Sequence, residues 1–145
     1  MNLDQLGQQL VEDMPDALIV SDAEERIHVW NAGAERIFGF TAAEAIGQLL
    51  AIIIPENLRK RHSDGYAATM ATGVTRYGAG DLLAVPALHK DGHRISIQFS
   101  IMPIRNEEGR LDGIAAIMRD VTADFEERKK LRNELAACRK MAVHE

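Results

Sequence analysis

Two tight-turn signatures in the second half of the chain, Lys90-Asp-Gly92 and Asn106-Glu-Glu-Gly109, constrain the fold more than any other feature. Asp, Asn and Gly supply the local hydrogen bonds and left-handed backbone that short hairpins need. Three successive antiparallel strands are therefore predicted, over about residues 81–89, 93–104 and 110–120. In the second, Ile95, Ile97, Phe99 and Ile101 alternate with Ser96, Gln98 and Ser100, so one face is apolar and the other polar. Pro86 cannot donate to a ladder, which makes the first of the three an edge strand or a broken one.

The first half supplies two more strands. Ala17-Leu-Ile-Val-Ser-Asp22 is one, Ala23-Glu-Glu25 is a turn, and Arg26-Ile-His-Val-Trp30 is the other, with Ile27 and Val29 alternating. Asn31 caps a helix carrying Ala34, Ile37 and Phe38 that stops at Gly39. Thr41-Ala-Ala-Glu44 is a capping box opening a short helix that ends at Gly47. Leu3, Leu6, Leu10 and Met14 mark an amphipathic helix before Pro15, with a stripe that would pack on the domain or on a second copy of the chain. From Thr122 the pattern is helical and charged, and Leu131, Leu135, Cys138 and Ala142 form a heptad seam. The predicted organisation is an N-terminal helix over 1–14, a domain over 15–121 and an exit helix over 122–145. The fold class is α+β, with a five-stranded antiparallel sheet.

Between the halves, Pro55 and Gly73 bracket one longer predicted helix. Leu58, His62, Tyr66 and Met70 recur every fourth residue and share a face. The Arg59-Lys-Arg61 run lies off it, as a solvated face. An imidazole in the middle of an inward stripe must be hydrogen-bonded or bound to something. His28, His89, His93 and His144 are expected at the surface; Trp30 has a structural or dimer-contact role; Met70, Met102 and Met118 are expected in the core.

Several function classes are disfavoured. The net charge of −5 over 145 residues argues against general nucleic-acid binding. The apolar run Leu49 to Ile54 falls far short of the ~20 residues of a membrane span. The N-terminus lacks the regions of a signal peptide, and the single cysteine, Cys138, cannot form an internal disulfide. A cytoplasmic protein is expected. No phosphate loop or nucleophile–base pair appears, so no enzymatic activity is expected.

The segments Asp16-Ala-Leu-Ile-Val-Ser-Asp22, Trp30-Asn-Ala-Gly-Ala-Glu-Arg-Ile-Phe-Gly39, Glu44-Ala-Ile-Gly47, Lys90-Asp-Gly92 and Arg119-Asp-Val-Thr122 together resemble the successive signatures of a PAS domain, over about residues 12 to 123. The resemblance implies the PAS fold: five antiparallel strands, helices over one face and an internal pocket. It further implies a sensory, dimerising module that signals through its C-terminal helix. Leu58-Arg-Lys-Arg-His-Ser-Asp-Gly-Tyr66 is similar to the haem-binding branch of bacterial gas sensors. That likeness implies haem b with His62 as the proximal iron ligand, flanked by Leu58 and Tyr66. Small Gly65 and Ala68 would leave room for the macrocycle. Ile52, Leu82, Leu83, Phe99, Ile101 and Met118 would form the apolar wall, and Arg76 would stand near a propionate.

One departure stands out. Relatives in this branch carry an arginine that donates to the gas, whereas Gly80-Asp-Leu-Leu-Ala-Val85 has none. O2 is then expected to be held less well than CO or NO. The alternatives are a cofactor-free PAS dimerisation module, with His62 a hydrogen-bonded core residue, and a redox sensor holding non-covalent FAD. Gly47-Gln-Leu-Leu50 lacks the cysteine of the light-sensing flavin branch. A homodimer is expected under any of these readings, with a histidine kinase or another signalling protein as output.

Overall fold

The computed structural model describes residues 1–75, 78 and 80–144, the last by its backbone. An N-terminal helix α1 (Leu3–Asp13) is followed by strands β1 (Ala17–Asp22) and β2 (Ile27–Trp30). Short helices α2 (Ala32–Phe38) and α3 (Ala42–Ala45) lead through 3-10 turns into α4 (Arg59–Thr72). Strands β3 (Leu83–Leu88), β4 (Arg94–Arg105) and β5 (Leu111–Asp120) and the exit helix α5 (Thr122–His144) complete the chain. The strands form one sheet in the order β2-β1-β5-β4-β3, every pair antiparallel. This is the five-stranded α+β architecture that the sequence implies. The Pro86 strand lies at the edge, where a missing N–H is tolerated.

Local chemistry explains the element ends. Asn31 accepts from the Ala34 N–H, and Gly39 closes α2 at φ 84°. Thr41 and Glu44 form the expected reciprocal box. Glu44 is also paired with Lys90 at 2.6 Å; that ammonium, with the Thr41 N–H, holds its pKa down at about 2. The longer helix differs from expectation at its start. Pro55 opens a 3-10 turn (Glu56–Leu58), and the α-helix begins only at Arg59. Gly73, in the left-handed region at φ 73°, ends it as predicted.

The core lies between the sheet and the short helices, around Ile19, Ile27, Phe38 and Ile53, all nearly inaccessible. Fully burying a side chain of this kind stabilises by about 1.5–3 kcal/mol. Trp30 belongs to this core: its ring packs 5.5 Å from Phe38 and its Nε1–H donates to the Phe40 carbonyl at 2.9 Å. Met70 and Met118 lie in or against the core as expected, but Met102 does not. Met102 pairs with Ala115 on the outer face of the sheet and is exposed.

Helix α1 buries none of its residues fully: Leu6 is half-buried where the helix meets α2, while Leu3, Leu10 and Val11 of its apolar side are exposed. Leu131 and Leu135 of α5 are likewise exposed. Among the described residues, no helix is long and apolar enough to cross a membrane.

Candidate functional site

Register brings the predicted wall together. Leu83 of β3 pairs with Phe99 of β4, which pairs with Met118 of β5, which pairs with Ala17 of β1. Directly opposed residues share a face, so Leu83, Phe99 and Met118 form a row across the inner side of the sheet. Ile101 lies two residues along from Phe99 and opposite Ala116, and therefore on the same face. Ile52 packs against this core from the turn Leu50–Ile53.

Leu82 does not join them. It precedes β3 and is 67% exposed, so the expectation that it lines the wall is corrected. A strand alternates faces, and the chain reaches the sheet only at Leu83. Arg76 lies outside the described residues.

Helix α4 stands over β5 and carries His62 and Tyr66. Tyr66 is buried and fixes the helix to β1. Its hydroxyl donates to the Asp22 carbonyl at 2.6 Å and lies 2.9 Å from Ser21 Oγ. Burial is the main reason its phenol is pushed up from its ordinary pKa, so it stays neutral. Leu58 sits one turn earlier at the helix start, half-buried. The imidazole of His62 lies 6.1 Å from the Tyr66 ring and is 35% exposed, a margin position rather than a deep one.

Glu25 is the site residue that sequence reasoning missed. It occupies the β1–β2 turn with φ 67°, the only described non-glycine residue in the left-handed region. That conformation costs roughly 1–2 kcal/mol for an L-residue. Such strain persists where surrounding contacts demand it, and it gathers at functional positions. The contacts here are specific. Ser63 Oγ donates to Glu25 Oε2 at 3.0 Å, and Glu25 Oε1 lies 3.2 Å from His62 Nδ1. The approach to His62 is close enough for an ion pair but off the line of a hydrogen bond, so Oε1 is buried without a donor. The sequence carried a signal: Asp22-Ala-Glu-Glu25 is a tight turn without Gly or Asn where the backbone calls for one. Asp22 holds the turn from the other side. Burial raises its pKa, but bonds from His28 and from the N–H groups of Arg26 and Glu24 outweigh this and hold the carboxyl below its ordinary value.

A buried carboxylate oxygen lacking a donor favours the imidazole tautomer with its proton on Nδ1. Nε2 then keeps a lone pair, which is the state a metal-ligating histidine needs. Gly65, one turn along α4, is exposed and a Cβ built there would meet nothing within 4 Å, so no side chain crowds this side of the helix. Phe99, Ile101, Ile114, Ile52 and Met70 around this region are only partly buried. The donor set and the apolar surroundings thus fit a haem held through one histidine. Two open clefts, along α5 at Glu126 and Lys130 and between Arg36 and Arg119, lie away from His62.

The sheet order, the covering helices and the exit helix define a PAS domain, and a family model for the PAS fold matches residues 11–124. The chain belongs to the PAS family. It is 35% identical over 92 residues to the sensor protein FixL of Bradyrhizobium diazoefficiens, covering 63% of this chain and 18% of that one. It is 24% identical over 128 residues to the oxygen sensor protein DosP of Escherichia coli, covering 88% and 16%. The chain therefore spans less than a fifth of either curated relative. Among solved structures, the PAS domain of a Colwellia psychrerythraea protein superposes with TM-score 0.70 at 23% identity, covering 84% of this chain and 99% of that one. An RNA-binding light-oxygen-voltage receptor superposes with TM-score 0.73 at 22% identity, covering 92% and 37%.

Proposed function

We propose that this PAS domain is a haem-based sensor of a diatomic gas (O2, CO or NO) or of redox state. The observation that carries this reading is the Glu25–His62 pair, a strained carboxylate whose donorless oxygen faces Nδ1 of the histidine on α4. Haem supplies an iron centre that takes a diatomic ligand or changes oxidation state. His62 would hold it through Nε2, and a small turn of the ring would bring Nδ1–H into line with Glu25 Oε1, which would then orient the imidazole. Ser63 keeps the carboxylate in place. Leu83, Phe99, Ile101 and Met118 exclude water from the opposite side. These wall side chains carry no hydrogen-bond donor, so discrimination among gases would rest on shape and on the iron itself.

The route outward runs through β5. Met118 lies two residues before Asp120, whose Oδ1 accepts from the Thr122 N–H at 2.9 Å at the start of α5. Thr122 Oγ1 accepts from the Ser96 N–H, and the Val121 N–H donates to the Ser96 carbonyl. A shift of the wall row would thus be felt at the root of the exit helix by both β4 and β5.

Titrating the haem-free protein with hemin tests the reading. One equivalent is expected to give a Soret band, and a titration indistinguishable from free hemin would sink the proposal. Glu25→Gly separates orientation from folding. Glycine relieves the left-handed strain, so stability should stay within about 1 kcal/mol of the parent. Hemin affinity should nonetheless fall about 10–100-fold, the usual effect of losing a ligand's hydrogen-bond partner.

The exposed stripes of α1 and α5 favour a second property, homodimerisation, that holds with haem, with FAD or with an empty pocket. Leu3, Leu10 and Val11 on one helix and Leu131 and Leu135 on the other are apolar and uncovered, an arrangement that soluble chains bury by association. Sedimentation equilibrium should show a dimer, dissociated by Leu131→Glu combined with Leu135→Glu. A monomer at all concentrations would refute it.

A further inference from the structure

The hairpin between β3 and β4 gathers three metal-ligating side chains far from His62 in the chain. His89, Asp91 and His93 each offer a ligand atom, and these atoms lie within 4.8 Å of one another. The backbone sets the arrangement. The His89 N–H donates to the His93 carbonyl at 3.0 Å and the Gly92 N–H to the His89 carbonyl at 2.9 Å. The two histidines are thus held across the mouth of a tight turn, with Gly92 at φ 95° supplying the bend. Their rings stack 4.7 Å apart at 25°.

Asp91 sits between them. Its carboxylate is hydrogen-bonded to His93 Nδ1, and the same oxygen lies 3.2 Å from His89 Nδ1. The Asp91 N–H donates to His89 Nδ1 at 3.2 Å, so that nitrogen carries a lone pair rather than a proton. The hairpin is itself anchored. The Lys90 N–H donates to the Phe38 carbonyl at 2.8 Å and the Lys90 ammonium pairs with Glu44. The His89 ring rests against Gly39, where an added Cβ would come within 2.6 Å of it.

We propose that this hairpin is a binding site for one divalent first-row transition ion of the Zn2+ or Cu2+ kind. Two imidazoles and one carboxylate suit such ions, whereas Mg2+ and Ca2+ take all-oxygen shells. Bonds of about 2.0–2.2 Å to nitrogen and oxygen require the donors to close in from their present spacing. His93 and Asp91 are largely exposed, at 57% and 60%, so rotating them displaces no core. Three protein ligands leave positions for water, which describes an exchangeable site. The inference does not rest on haem, because its ligands share no atom with the His62 site.

The test is calorimetric titration of tag-free, haem-free chain with ZnCl2, on the parent, His93→Gln, Asp91→Asn and His62→Ala. One ion per chain is expected. His93→Gln should weaken binding about tenfold or more, since even losing a ligand's supporting partner has that effect. His62→Ala should bind as the parent does. No heat up to millimolar Zn2+, or parent-like binding in His93→Gln, would overturn the proposal. Circular dichroism of each variant keeps loss of a ligand distinct from loss of fold. His89→Gln is a weaker probe because its ring also packs on Gly39.

Discussion

His62→Ala is expected to fold and to lose its hemin. The side chain is 35% exposed and its removal opens no cavity deep in the core. Helix α4 remains tied down by Tyr66, whose hydroxyl bonds to Asp22 and Ser21 are untouched. What is lost is the one nitrogen on this stripe able to ligate iron, together with the group nearest Glu25 Oε1. Leaving that oxygen wholly unpaired costs about 1–3 kcal/mol at most, and less once water enters. The Soret band formed with one equivalent of hemin should therefore vanish, with far-ultraviolet dichroism unchanged. Millimolar imidazole should restore a band in the variant by filling the vacated place. A merely structural histidine would not be rescued in this way. If the variant kept the parent's band, the ligand would have to be another residue and the proposed site would be wrong.

Asn31→Ala is expected to be the most damaging single change outside the site. Asn31 is buried, and its amide uses both ends. Its Oδ1 accepts from the Leu18 N–H at 2.8 Å and from the Ala34 N–H at 3.0 Å. Its Nδ2 donates to the Asp16 carbonyl at 3.0 Å and more weakly to Met14 at 3.4 Å. One side chain therefore caps α2 and also stitches that helix to the entrance of β1. Loss of a cap alone costs about 1 kcal/mol. Buried backbone groups stripped of partners add about 1–3 kcal/mol. A loss of roughly 3 kcal/mol follows, a large part of the 5–15 kcal/mol that holds a typical domain together. Urea denaturation should show it as a lower midpoint with an unchanged slope. Thr41→Ala, which removes an exposed cap, is the reference and should lose about 1 kcal/mol. Equal losses in the two variants would mean that the link to β1 carries no stability.

Most of the scaffold is legible in the amino-acid sequence. The turns at Asp91–Gly92 and Asn106–Gly109, the alternation through Ile95, Ile97, Phe99 and Ile101, and the caps at Asn31 and Thr41 are all local effects. They follow from residues within a few positions of one another. The edge position of the Pro86 strand follows from one missing donor. The wall set of Leu83, Phe99, Ile101 and Met118 came from the family resemblance; a period of two by itself places only Ile95, Ile97, Phe99 and Ile101 on one face of their strand. Two expectations fail, and for Met102 the alternation that turns Ile101 inward already requires the outer face. Leu82 lies one residue before β3 begins, and Met102 falls on the opposite face from Ile101. Both are apolar side chains whose exposure depends on what covers that part of the sheet.

Glu25 marks the boundary between the two kinds of knowledge. Read along the chain it is one acid in a charged turn, and nothing within several residues gives its carboxylate a purpose. Folding places the β1–β2 turn beside α4, which brings Glu25 to Ser63 and His62 across more than thirty intervening positions. Local propensities and periodicity were enough to specify the strands, their faces and the histidine-bearing helix, because those depend on backbone geometry over a few residues. Only the packed structure could decide which acid meets that histidine, because long-range proximity depends on how the whole sheet twists and is covered.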